Sequence, residues 1–200
     1  MIPCEQIPGH PDFRALASLP NIAVDLRYAT ADNFVGHDVY GGLDCAYLRS
    51  EAAEALLNAA QWLEARRPGY RFLVLDALRP QRIQETLYAE LAGTPLAMYL
   101  AHPERGSIHS FGMAVDLTVL DPRGAEVDMG TGFDEMTLVS HPDHEAEHLA
   151  LGQLSEAQLR ERGWLRAAMR QAGFHGISTE WWHFDFGDRV AVRRDLPRVL

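Results

Sequence analysis

Two segments of the sequence carry residue types that could hold a metal ion. The first runs from Ser107 to Asp116 and contains His109, and the second is Glu180-Trp-Trp-His183. Two imidazoles and one carboxylate fill three positions of a tetrahedral zinc site and leave the fourth to water, which is typical of catalytic rather than structural zinc. A catalytic metal site is therefore the first hypothesis for this chain.

Asp116 is the most informative residue of the first segment. It stands inside the apolar run 113–120, which predicts a strand. A carboxylate buried there without a partner would cost several kcal/mol, so it needs a metal, another cation or several hydrogen-bond donors. Gly112 could let the chain turn close to an ion. Taken singly, His109 could equally be a satisfied core histidine, and Asp116 could pair with an arginine.

Together, the two segments resemble the pattern S-x-H-x-x-G-x-A-x-D followed by E-x-x-H of the zinc D,D-peptidases. Among these the resemblance is to the D-alanyl-D-alanine dipeptidases linked to vancomycin resistance. Every specified position of the pattern is present. Further matching blocks extend the resemblance over most of residues 22–186, and they lie at 25–28 (DLRY), 78–80 (LRP), 128–134 (DMGTGFD) and 180–184 (EWWHF).

The resemblance implies hydrolysis of D-alanyl-D-alanine to two D-alanines and a role for each matched residue. It makes His109, Asp116 and His183 the ligands of one zinc ion per chain, and Glu180 the catalytic base. Zinc lowers the pKa of a bound water toward ~7, and Glu180 would take the proton as the hydroxide attacks the carbonyl. Arg79 resembles the arginine that polarises the scissile carbonyl and stabilises the oxyanion, which suits a permanent charge.

The implied substrate is a small zwitterion, so its pocket needs a partner for each charged end. By resemblance, Ser107 would hold the carboxylate, and Asp134 is a candidate partner for the ammonium. Both residue types are also common in turns, where their side chains hydrogen-bond the local backbone.

A second metal-binding motif stands in the same chain. The segment His144-Glu145-Ala-Glu-His148 matches H-E-x-x-H, in which two histidines on one helical face bind zinc and the glutamate is the base. Pro142 precedes it, and the sequence around it predicts no buried amphipathic helix to hold the ligands. Glu156 and Glu161 are candidate third ligands by position only. We interpret the segment as a solvated acidic surface turn.

Composition excludes several classes of partner. The formal net charge is -10, and basic residues are not clustered, which argues against nucleic acid and anionic membranes. Two cysteines allow at most one disulfide, which is too few to stabilise a chain of 200 residues. No apolar run approaches the ~20 residues that a membrane span needs. No N-terminal export signal is evident, so we expect a cytoplasmic protein unless a signal has been removed.

The elements that must position these residues follow from periodicity. Strands are predicted at 22–28, 71–77, 113–120 and 180–186. A helix follows Ser50 as its cap, Pro80 opens a second, and Ser155 with Gln158 forms a capping box for a third that Gly173 closes. We expect one α+β domain over residues 1–200, with a central, mainly antiparallel sheet flanked by helices and the zinc site on the sheet.

Two other functions stay open at this point. A D,D-carboxypeptidase acting on longer cell-wall peptides would use the same site, but it must meet its substrate outside the cytoplasm. A zinc-binding module without activity would need neither Glu180 nor Arg79. The sequence decides neither the oligomeric state nor whether the role is resistance or recovery of D-alanine.

Overall fold

The computed structural model describes residues 1–200 and contains seven short strands and five α-helices. The strands are β1 (Phe13–Ala15), β2 (Ile22–Val24), β3 (Tyr47–Arg49), β4 (Arg71–Asp76), β5 (Ala114–Leu120), β6 (Phe174–Gly176) and β7 (His183–Phe186). The helices are α1 (Ser50–Arg66), α2 (Gln81–Leu91), α3 (Glu145–Ala150), α4 (Glu156–Gln171) and α5 (Arg189–Asp195).

Five of the strands form one sheet in the order β2-β4-β5-β7-β6. Only β2 and β4 run parallel; the other three pairs are antiparallel. Strands β1 and β3 form a separate antiparallel pair. The predicted α+β fold with a mainly antiparallel sheet flanked by helices is therefore confirmed.

Strand β5 is buried on both faces of the sheet. Val115, Leu117 and Val119 belong to the large hydrophobic core that also contains α1 and α4. Side chains alternate between the faces of a strand, so Asp116 lies on the face opposite this core. One side of β5 thus anchors the fold, and the other side is free to build a site.

A β-bulge in β4 changes which face its last residue presents. Phe72 and Val74 lie in the same large core, and strict alternation would place Asp76 there too. The register with β5 shifts between Val74 and Asp76, so that Asp76 pairs with Asp116. The extra residue turns this carboxylate toward the site side of the sheet.

The helix predictions are confirmed with one correction. Helix α2 follows Pro80, and α4 begins with the predicted capping box between Ser155 and Gln158. Ser50, however, is the first residue of α1, and Arg49 holds the cap position without a side-chain hydrogen bond. No helix combines the length and the apolar composition that a membrane crossing needs.

Two predicted strands are too long, and three short strands were missed. The strand expected at 22–28 ends at Val24, and a 3-10 turn follows it at Arg27–Ala29. The one expected at 180–186 starts only at His183, and Glu180 before it lines a cavity. Strands β1, β3 and β6 span three residues each, which is too short for a periodic pattern to reveal.

Candidate metal centre

The register of the sheet brings together residues that are far apart in the sequence. Asp116 on β5 pairs directly with His183 on β7 on one side and with Asp76 on β4 on the other. His109 comes from a 3-10 turn, Ile108–Phe111, that leads into β5. All three predicted ligands therefore meet at one point on the sheet.

Gly112 ends the turn that carries His109, and only glycine fits there. Its φ is 68°, in the left-handed region. A Cβ atom would lie 2.8 Å from the ring of Phe13 and 3.2 Å from the backbone nitrogen of Arg49. This agrees with the expectation that Gly112 lets the chain turn sharply between the two ligands.

The three ligand atoms form a small triangle. His109 Nε2 lies 3.1 Å from His183 Nδ1 and 3.4 Å from Asp116 Oδ1, and the third side, His183 Nδ1 to Asp116 Oδ1, is 2.9 Å. Ligands of a tetrahedral zinc ion with bonds of about 2.0–2.1 Å lie about 3.3 Å apart. The triangle has the size that a tetrahedral ion requires, and these three residues form the one cluster of metal-ligating groups in the structure.

Outer hydrogen bonds fix the orientation of both imidazoles. His109 Nδ1 lies 2.7 Å from the carbonyl oxygen of Ala77, and His183 Nε2 lies 2.9 Å from Asp185 Oδ1. Both partners are acceptors, so these outer nitrogens carry protons, and in the neutral imidazoles the two inward nitrogens carry the lone pairs that a metal needs. The two inward nitrogens and the Asp116 carboxylate need a positive charge between them, which a proton or a metal ion can supply, and the residues therefore fit a metal ion.

The electrostatics of the cluster follow from burial and from these contacts. Burial alone would raise the pKa of Asp116, but the neighbouring imidazoles of His109 and His183 hold it well below its usual range. Burial alone would lower the pKa of His183, but Asp185 and Asp116 raise it well above its ordinary value. The site is thus an electronegative pocket that favours positive charge.

Glu180 lines the cavity that contains the three ligands. The cavity has a volume of about 240 Å³, and Glu180 sits just ahead of the buried side chains of Trp181 and Trp182. Burial raises the pKa of Glu180 to about 7. A partly buried carboxylate with this pKa can exchange a proton near neutral pH.

Arg79 lines the same cavity, and hydrogen bonds within the protein hold its guanidinium in place. Its Nε and Nη2 donate to Asp76 Oδ2 at 2.9 and 2.6 Å, and its Nη1 donates to Gln84 Oε1 at 3.1 Å. Its Nη2 also lies 3.4 Å from Asp116 Oδ2. The two interpretations of Asp116 are therefore compatible, because Oδ2 faces Arg79 and Oδ1 faces the two imidazoles that could hold a metal.

Ser107 and Asp134 both line the cavity. Ser107 Oγ accepts a hydrogen bond from the backbone N–H of His109 at 3.3 Å, so it caps the turn that carries this histidine. Asp134 has a positive φ of 58°, and its buried Oδ2 has no hydrogen-bond partner. Burial raises its pKa well above the usual range. Both residues therefore lie in turns, as their types suggest, and both also line the cavity, where they could contact a substrate.

The H-E-x-x-H segment is not part of this cluster, and its side chains have other partners. Glu145 accepts from Arg166 at 2.8 Å with both carboxylate oxygens, and Glu161 pairs with Arg67. The prediction of a solvated turn is wrong in part, because residues 145–150 form helix α3 and His148 is buried. His148 donates to Gln153 instead of turning toward a shared ion.

Two further side chains at the candidate site were missed by the sequence analysis, although each left a signal. Asp185 follows His183 by two residues, and residues at that spacing share one face of a strand. Asp76 is a carboxylate at the end of an apolar strand, the same signal that singled out Asp116. The bulge that turns Asp76 toward the site has no such signal in the sequence.

A comparison with protein families finds a match over residues 12–199 to the Peptidase_M15 family model, described as D-ala-D-ala dipeptidase. Curated relatives carry the name D-alanyl-D-alanine dipeptidase. The protein from Escherichia coli K12 is 38% identical over 166 residues, covering 83% of this chain and 79% of the relative. The protein from Enterococcus faecium is 36% identical over 195 residues, covering 86% of each.

Among solved structures, the LdcB LD-carboxypeptidase, studied for its recognition of peptidoglycan, is similar with a TM-score of 0.51. The alignment covers 92% of this chain and 72% of that one, at 17% sequence identity. At this sequence identity, the similarity shows only that the two folds are alike.

Proposed function

The chain belongs to the Peptidase_M15 family of D-ala-D-ala dipeptidases, which makes it a hydrolase, and we propose that it hydrolyses D-alanyl-D-alanine with one bound zinc ion. The observation that carries the proposal is the triangle of His109 Nε2, Asp116 Oδ1 and His183 Nδ1 in the cavity that also holds Glu180. A three-ligand centre with an open side beside a carboxylate suits hydrolysis rather than a purely structural role.

His109, Asp116 and His183 would hold the ion, and Ala77 and Asp185 would fix the two imidazole rings through their outer nitrogens. Bound there, zinc would polarise the peptide carbonyl and lower the pKa of a water ligand toward ~7. These ligands leave one side of the site open to the cavity, where a dipeptide can approach.

Glu180 is proposed to move the proton. Burial raises its pKa to about 7 in the metal-free cavity, and a nearby cation lowers it, so the carboxylate is ionised at neutral pH. It would accept a proton from the attacking water and donate it to the leaving amine. The next two residues, Trp181 and Trp182, are buried and would help to exclude competing water.

Arg79 is proposed to stabilise the negative charge that develops on the carbonyl oxygen. Its contacts with Asp76 and Gln84 hold the guanidinium in one place, so little side-chain entropy is lost when the substrate binds. For the ends of the substrate we propose Asp134, with its unpartnered oxygen, for the ammonium and the Ser107 hydroxyl for the carboxylate.

The test of this function is metal analysis coupled to release of D-alanine from the free dipeptide. The purified protein should contain one zinc ion per chain and release D-alanine, and chelation should abolish both. His109→Ala should remove the metal, whereas His144→Ala serves as the matched control and should keep metal and activity. Loss of zinc only in His144→Ala would move the metal to the H-E-x-x-H segment.

Glu180→Gln separates an enzyme from a zinc-binding module. The variant should retain zinc and fold while turnover falls by about 10²–10⁴-fold, the usual contribution of a general base. Unchanged turnover would remove Glu180 from the mechanism.

A pentapeptide stem offered beside the dipeptide tests the other alternative, because faster cleavage of the pentapeptide would make the protein a D,D-carboxypeptidase. A cytoplasmic location stays a prediction.

A further inference from the structure

Three arginines besides Arg79 line the cavity, in a chain of net charge -10. They are Arg105, Arg189 and Arg193. Arg189 is neutralised by Asp185, to which its Nε donates. Arg105 and Arg193 form no ion pair with any carboxylate in the structure, so their charges are uncompensated by direct contact.

Arg193 is positioned by neutral groups only. From helix α5 its Nε donates to the carbonyl oxygen of Gly106 at 3.2 Å, and its Nη1 donates to the carbonyl of Arg189 at 3.4 Å. Gly106 directly precedes Ser107, so the guanidinium lies beside the loop that leads to the His109 turn. Its Nη2 donates no hydrogen bond within the protein, which leaves a donor for a ligand.

The surroundings of Arg193 make an anion favourable there. Burial lowers the pKa of this guanidinium, and the like charge of Arg105 lowers it further, although the more distant charge of Asp185 opposes both effects. Arginine nevertheless stays protonated, so two cations remain near each other without a counter-ion in contact with either. A carboxylate between them would relieve this repulsion and would form charge-assisted hydrogen bonds.

The opposite charge lies elsewhere in the same cavity. Asp134, with its buried and unpartnered oxygen, neighbours Tyr28 and Arg79 rather than the two free arginines. The lining of the cavity therefore offers a carboxyl oxygen without a hydrogen-bond partner and two arginines without an ion pair, and the three candidate metal ligands line it too. These groups are complementary to a molecule with a positive and a negative end, because an ammonium beside Asp134 would favour its ionised form.

We propose that Arg193, with Arg105 beside it, binds the free α-carboxylate at the C-terminal end of the substrate together with the Ser107 hydroxyl. The proposal rests on the proposed function and adds to it a determinant of specificity. A dipeptide would then lie with its ammonium at Asp134, its peptide bond at the metal centre and its carboxylate at the arginines. Substrates that lack a free carboxylate next to the scissile bond would be poor ones.

The test compares D-alanyl-D-alanine with its C-terminal amide, which has the same peptide bond but no carboxylate. The zinc-loaded wild type should prefer the free acid. In Arg193→Ala, kcat/KM for the acid should fall by about 10–100-fold, chiefly through KM, because a hydrogen bond to a charged group contributes that much. Cleavage of the amide should stay unchanged, and Arg193→Lys should restore part of the preference.

Further variants separate charge from structure. Arg193→Gln keeps a donor for Gly106 and removes the charge, and Arg105→Ala changes an exposed side chain without breaking an ion pair; both should reduce the preference for the acid. Arg194→Ala is the matched control, because Arg194 is the neighbouring residue of α5, is exposed and pairs with Asp195 outside the cavity. It should leave both substrates unaffected.

The outcomes distinguish this inference from the function beneath it. An equal loss on acid and amide, or no loss on either, overturns the role of Arg193. A wild type that cleaves neither substrate overturns the proposed function instead. Calorimetric binding of the acid and the amide to the zinc-loaded protein then decides the inference, which fails if Arg193→Ala weakens both ligands equally.

Discussion

At the scale of single residues, the candidate metal centre depends on outer hydrogen bonds as much as on its three ligands. Asp185 accepts from His183 Nε2, and the Ala77 carbonyl accepts from His109 Nδ1. Each acceptor selects the tautomer that places a lone pair at the centre. Without them, either ring could turn its protonated nitrogen inward and lose the ability to bind a metal.

Asp185→Asn should therefore weaken metal binding although it removes no ligand. The amide oxygen can still accept from His183, but the negative charge that makes the imidazole a stronger donor to the metal is gone. We expect the zinc affinity to fall by about 10–100-fold in a chelator competition assay. Asp195→Asn, an exposed carboxylate paired with Arg194, is the control, and equal affinities of the two variants would contradict a role for Asp185.

Glu180 makes the metal-free protein less stable as the pH rises. Burial raises its folded pKa from 4.5 to about 7, so the folded state binds the proton more tightly than the unfolded state. The contribution of Glu180 to the free energy of unfolding therefore falls between pH 4.5 and about 7, and the full penalty is present above that range. The charge that we propose for catalysis is thus unfavourable for folding in the metal-free protein.

Glu180→Gln should stabilise the metal-free protein, and more so at about pH 8 than at about pH 5. The expected gain at the higher pH is on the order of 1 kcal/mol in the free energy of unfolding, because the amide needs no ionisation. Denaturation of both proteins in the presence of a chelator measures it. A gain that is the same at both pH values would show that titration of Glu180 is not its cause.

At the scale of elements, the 3-10 turn at Ile108–Phe111 and the bulge in β4 build the site. The turn can connect directly to β5 because Gly112 adopts a positive φ and has no side chain that would clash with Phe13. The bulge supplies Asp76, whose carboxylate neutralises Arg79 in the interior. Each is a local departure from regular structure that the regular strands around it hold in place.

Gly112→Ala should be more destabilising than an alanine at another glycine of the same conformation. Gly152 has a φ of 70°, and a Cβ added there would meet no atom within 4 Å. Gly152→Ala therefore measures the backbone strain alone, about 1 kcal/mol. Gly112→Ala adds the clash with Phe13 and should cost several kcal/mol and lower the zinc content. Equal losses in urea denaturation would mean that the close packing does not matter.

At the scale of the whole molecule, the site joins parts of the chain that are distant in sequence. The C-terminal segment contributes too, because the Val199 N–H donates to the Ser110 carbonyl and the Val199 carbonyl accepts from Gln81. Residues from the middle of the chain and from its C-terminal part therefore surround one cavity. Folding and metal binding should be strongly coupled as a result.

Unfolding should occur in one cooperative transition, in keeping with a single domain over residues 1–200. Zinc at about 100 times its Kd should add roughly 2.7 kcal/mol to the free energy of unfolding and raise Tm by about 5–10 °C. Calorimetry with and without zinc measures both, and His109→Ala should lose the shift. Two separate transitions would contradict the single domain.

The sequence by itself determined which residues could bind the metal and move the proton. His109, Asp116, Glu180 and His183 were predicted because the two segments match the ligand and base positions of the zinc D,D-peptidases, and each motif keeps its residues within ten positions of each other. The helices after Pro80 and around the capping box followed from periodicity and local hydrogen bonding. These signals are short-range, so they can be recognised without the fold.

The tertiary structure alone decided how these residues are oriented and what surrounds them. The hydrogen bond that orients His109 joins it to a carbonyl 32 residues away, and Arg193 reaches across 87 residues to Gly106. Such contacts depend on sheet register, on the bulge in β4 and on where α5 packs. No spacing in the sequence predicts these contacts, because they form only when packing of the whole core stabilises one arrangement of the strands and helices.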